Sequence, residues 1–74
     1  MKKAIENALK TACAMCHKPL TEDLLIVWEI GLDNYTEEHI KKATVEYCKN
    51  ADTTIMPTPF IFAQYGNSKE FDYL

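Results

Sequence analysis

The chain has 74 residues, 47% of them hydrophobic and 26% charged, with a formal net charge of −3. This is one small domain with enough apolar residues for a core, which excludes a disordered tail and a multidomain enzyme. Only 2 glycines are present, few for the turns of an all-β fold, and an apolar run such as Leu24 to Trp28 falls far short of the roughly 20 residues that span a bilayer.

Residues 2–17 have helical periodicity. Ile5, Ala8, Leu9, Ala12, Cys13 and Cys16 follow i, i+3, i+4 spacing and form one apolar stripe. Lys2, Lys3, Glu6, Asn7 and Lys10 fall on the other side, and Lys18-Pro19 ends the run. A second helix is expected from Thr21, a good N-cap followed by Glu22 and Asp23, to about Leu32. Leu20 and Leu25 have the spacing of a hydrophobic staple. Leu24, Leu25, Trp28 and Leu32 are expected on its buried side, and Val27 and Ile30 widen that face, which would make this the most buried helix.

Thr36, followed by Glu37 and Glu38, caps a third helix over 37–50, with Ile40, Ala43, Tyr47 and Cys48 inward. Residues 51–56 read as a loop. Thr58 then caps a short fourth helix with Pro59 at its first position, and the apolar segment ends at Gly66. Trp28, Tyr47 and Phe60 are the expected aromatic core. The predicted architecture is all-α: a compact bundle of three helices plus a short Pro-initiated C-terminal helix. Residues 1–66 form the single helical domain, and 67–74 a short polar and aromatic tail.

All 8 basic residues are lysine. Without arginine, and with a net acidic chain, sequence-specific nucleic-acid binding is not expected, and a protein partner fits better. The start Met1-Lys2-Lys3 runs into Ala4, Ile5, Glu6 and Asn7, where an acid and an amide break the apolar core of a secretory signal. A cytoplasmic location, with no membrane contact, is the expectation. Three cysteines, an odd number, argue against a disulfide framework.

Cys13-Ala14-Met15-Cys16-His17 matches the C-x-x-C-H pattern of covalent haem attachment, in which two thiols join the haem and the histidine ligates its iron. The same residues, with Cys48 or His39 as a fourth ligand, suggest a metal site. The plainer reading makes Cys13 and Cys16 small apolar members of the first helix, with no cofactor. No glycine-rich phosphate loop is present, and neither histidine has a nucleophile or acid partner nearby in sequence, so the chain is not read as an enzyme. Tyr65, Phe71 and Tyr73, with the acids Glu70 and Asp72, cluster at the end of the chain and are the expected partner-binding residues.

Lys18-Pro19-Leu20-Thr21, an apolar helix containing Trp28, then Leu32 and Tyr35, a helix with Ala43, and Met56-Pro57-Thr58-Pro59 followed by isoleucine make one ordered pattern. It resembles the small helical domain of phage replicative-helicase loaders over about residues 12–64. The resemblance implies a non-enzymatic replication accessory that binds a replicative helicase or a phage replication protein. Such loaders carry further chain beyond the helical domain, whereas about ten residues follow the turn here. A shortened relative would act as a loader-like adaptor or as an inhibitor that occupies a partner. Two alternatives stand beside it: the Cys13, Cys16, His17 metal or haem protein, and a small acidic inhibitor of a defence nuclease. A domain this small also gains from self-association, and a homodimer through an apolar second helix is a further expectation.

Overall fold

The computed structural model describes residues 3–67 and holds four helices: α1 (Lys3–Cys16), α2 (Glu22–Leu32), α3 (Glu37–Asn50) and α4 (Pro59–Gln64). No strand occurs among the described residues, so the all-α class stands. Each threonine expected to cap a helix does so. Thr21, Thr36 and Thr58 accept from the backbone N–H of Leu24, His39 and Ile61, at 3.1, 3.1 and 3.3 Å. A short 3₁₀ turn over 65–67 follows α4.

α1 packs on α2 and α3, and α4 closes the opposite side against the same two helices. The α1 stripe is buried as its spacing requires: Ala4, Ile5, Ala8, Leu9, Ala12, Cys13 and Cys16 all enter the core. Phe62 from α4 wedges between α2 and α3, its ring centroid 5.0 Å from that of Trp28 and 5.0 Å from that of Tyr47. Two such aromatic contacts add about 0.5–1.5 kcal/mol each beyond the area buried.

Both glycines of the chain serve the docking of α4. A Cβ on Gly31 would lie 2.6 Å from Pro59 Cβ, so α4 begins directly on the end of α2. A Cβ on Gly66 would lie 2.5 Å from His39 Nε2. That imidazole nitrogen bonds the Ala63 carbonyl at 2.9 Å, tying α3 to the end of α4.

Three expectations are corrected. α2 is not the most buried helix: it buries only Trp28 and Leu32, against seven residues in α1, and Val27 and Ile30 face outward. Its apolar residues cover more of the circumference than a single core-facing stripe can use: the register that seats Trp28 on Phe62 keeps Leu32 inside and Leu24 and Leu25 partly buried against the core, and turns Ile26, Val27 and Ile30 away. Cys48 is exposed, because it lies one residue, or about 100° of helix rotation, past buried Tyr47. Phe60 is exposed, and Phe62 takes the core position expected of it. With Pro59 held on Gly31, helical spacing sends 62, 63 and 66 inward and 60, 61 and 64 outward.

Candidate interaction surface

The C-x-x-C-H string is built into the end of α1. Lys18 N–H bonds the Cys13 carbonyl at 2.9 Å, His17 N–H reaches the Ala14 carbonyl at 3.4 Å, and His17 has φ 58°. This pair of bonds around a left-handed residue is the Schellman helix stop. The stop leaves His17 exposed while Cys13 and Cys16 face the core.

The thiols serve as weak ties between α1 and the loops beside it. Cys13 Sγ donates toward the Pro19 carbonyl at 3.9 Å, and Cys16 Sγ toward the Ile55 carbonyl at 3.8 Å. The Tyr47 hydroxyl lies 3.1 Å from Cys16 Sγ. Burial, and then the neighbouring Cys16, push the Cys13 thiol above its ordinary value. A thiol so shifted is a poor source of the thiolate that metal ligation needs. Cys48 faces solvent on α3, and no group of three His, Cys, Asp or Glu side chains able to hold a metal occurs among the described residues.

Of the residues expected to bind a partner, Tyr65 is half-buried, its ring edge-on to Tyr47 at 5.5 Å. Glu70, Phe71, Asp72 and Tyr73 lie outside the described residues. Tyr65, Tyr47, Ile55, Met56 and Ile61 line a hollow of about 270 Å³ under the 51–58 loop. Asp52 shapes that loop. Its carboxylate accepts from the Thr54 hydroxyl at 2.7 Å and the Thr54 N–H at 3.0 Å, which hold its pKa below the usual aspartate value.

Among the exposed large apolar residues, which also include Ile55 and Ile61, three share one helix, α2. Ile26, Val27 and Ile30 are 55%, 52% and 73% exposed, and Phe60 at the start of α4 is 64% exposed. On a helix, 26, 27 and 30 occupy one continuous arc opposite Trp28, related by i+3 and i+4 steps. The Pro59–Gly31 contact sets the start of α4, where Phe60 stands, against the end of α2. Composition reasoning could have found this surface, since Leu24 to Trp28 and then Ile30 supply more apolar residues than one stripe holds.

The described residues include no helix long and apolar enough to cross a membrane. Comparison of the chain with protein-family models, with curated proteins and with solved structures finds no match.

Proposed function

We propose that this chain is a non-enzymatic protein-interaction module of a phage or mobile-element replication system, acting as a loader-like adaptor or inhibitor of a replicative helicase or its loading partner. The observation that carries the interaction reading is the exposed arc Ile26, Val27 and Ile30 on a helix whose other face seats Trp28 and Leu32 in the core. Singly exposed apolar residues are ordinary, but three on one arc with an aromatic at the adjoining helix start form the kind of patch that partners cover. The helicase assignment is supported by the sequence pattern from Lys18 to Pro59 and its resemblance to loader domains.

The test is a titration of the purified chain against the replicative helicase and the phage loading proteins. Binding to one of them at micromolar concentration, weakened about tenfold or more by Ile26→Ser with Ile30→Ser, is the expected result. A helicase-loading assay then separates adaptor from inhibitor by the sign of the effect. Absence of binding to every replication protein refutes the assignment.

A further inference from the structure

The net charge of −3 conceals a segregation. Between Pro19 and Ile40 stand six acids, Glu22, Asp23, Glu29, Asp33, Glu37 and Glu38, and no lysine. The flanking cations in sequence are Lys18 and Lys41. α2 itself contains only acids among its charged residues. Glu22 and Asp23 lie one turn before Ile26 and Val27, while Glu29 and Asp33 follow Ile26 and Ile30 by three residues. The outward apolar arc is therefore bordered by negative charge at its N-terminal end and along one flank.

We propose that the outer face of α2 is the docking site for a basic amphipathic helix of a partner protein. The apolar stripe of that helix covers Ile26, Val27 and Ile30, and its lysines or arginines meet Glu22 and Asp23. The inference rests on the interaction-module reading and names the chemistry of the occupant. The i, i+3, i+4 relation of 26, 27 and 30 suits packing against another helix. Charge complementarity decides among occupants. A second copy of this chain, joined by a two-fold axis through α2, would set acidic helix against acidic helix with no lysine on either to relieve it. An anionic membrane surface would be repelled for the same reason. From Ile26 to Ile30 the arc rises only about 6 Å along the axis, so the interface is small and the expected affinity is that of a transient complex.

The probe is a pair of synthetic helical peptides of equal length with the same leucine stripe, one with lysine and one with glutamate on the polar face. Each is titrated into the isotope-labelled full chain and followed by amide shifts. The lysine peptide is expected to move the amides of α2 and of Phe60, and to bind about tenfold more weakly once added salt shortens the Debye length from about 10 Å to about 3 Å. The glutamate peptide is expected to move none. Ile30→Ser, which leaves the core intact, weakens the lysine peptide about tenfold, and the double change Glu22→Lys, Asp23→Lys weakens it without altering the apolar arc.

Equal binding of both peptides, shifts confined to other helices, or a sedimenting dimer that buries α2 each overturn the proposal. Failure of the two readings is distinguishable. If Ile26→Ser with Ile30→Ser abolishes binding to a replication protein while the lysine peptide leaves α2 unmoved, the basic occupant falls and the interaction surface stands. If the lysine peptide binds α2 but no replication protein binds the chain, the basic occupant stands and the helicase assignment falls.

Discussion

Gly31→Ala sets helix propensity against packing, and the geometry decides the sign. Gly31 lies inside α2 without a positive φ, so the backbone accepts alanine there. Propensity alone would favour alanine by up to about 1 kcal/mol. The added methyl, however, would sit 2.6 Å from Pro59 Cβ and 2.9 Å from Pro59 Cγ. A contact at van der Waals distance needs about 3.5 Å or more, so α4 must move by close to an ångström. Pro59 cannot rotate away, because its ring is fixed to the backbone and the next turn is held by the Thr58 cap and by Phe62 between Trp28 and Tyr47. Overpacking of this kind costs about 1–3 kcal/mol, which exceeds the propensity gain. The expected net loss is about 1 kcal/mol, read as a fall in Tm of about 4–8 °C for a domain of this size. Pro59→Gly removes both contacting atoms. A double-mutant cycle by thermal and urea unfolding should therefore show the two substitutions coupled, with the alanine harmful only when Pro59 is present. A Gly31→Ala variant more stable than the parent, or a cycle without coupling, refutes the seating of α4 on α2.

Other expectations follow from the helix end and the buried tyrosine. His17→Gly relieves a left-handed residue at the Schellman stop and should stabilise the fold by about 0.5–1 kcal/mol in urea unfolding; a loss of stability would contradict the φ of 58°. Burial, and then the Cys16 hydrogen bond, hold the Tyr47 hydroxyl well above the ordinary tyrosine value of 10.0. Its folded pKa is raised, so its contribution is complete below pH 10.0 and declines above it as the unfolded chain ionises first. The decline approaches about 1.4 kcal/mol per pH unit, and Tyr47→Phe should flatten the stability profile above pH 10.0, whereas parallel profiles would count against a buried hydroxyl. Thiol labelling should find Cys48 fast in the native chain, with Cys13 and Cys16 labelling only on unfolding.

The local grammar of the chain was legible. Thr21, Thr36 and Thr58 each announce a helix because a short side-chain oxygen ahead of an amphipathic run satisfies an orphan N–H, and that chemistry needs no knowledge of the rest of the fold. The α1 stripe was equally readable, since its apolar residues occupy one side only. What failed was the choice of face where the sequence offers too many apolar residues. Leu24 to Trp28 and Ile30 surround much of α2, and only the long-range pairing of Trp28 with Phe62 fixes which of them point inward. Phe60 and Phe62 present the same ambiguity two residues apart, and the contact of Pro59 with Gly31 resolves it. Neither contact has a local sequence signature. The C-x-x-C-H string shows the converse problem. Its spacing also fits the last turn of a helix with two inward thiols and a left-handed stop, and that arrangement is the one adopted.

The separation of the two faces of α2 bears on how the proposed activity is held in place. Ile26, Val27 and Ile30 keep half or more of their surface exposed to solvent, so their substitution by serine removes little buried area and leaves no core cavity. Trp28 and Leu32, one turn apart on the other face, are almost fully enclosed, and truncating either would cost about 2–5 kcal/mol. The proposed binding and the folding thus fall on different residues of one short helix. The helix is also fixed at both ends, by the Thr21 cap and by Pro59 seated on Gly31, so a partner meets a surface that is already ordered. A polar residue at 26, 27 or 30 would keep the fold and improve solubility, and stability therefore gives no reason for the apolar ones. The proposed interaction with a partner supplies one.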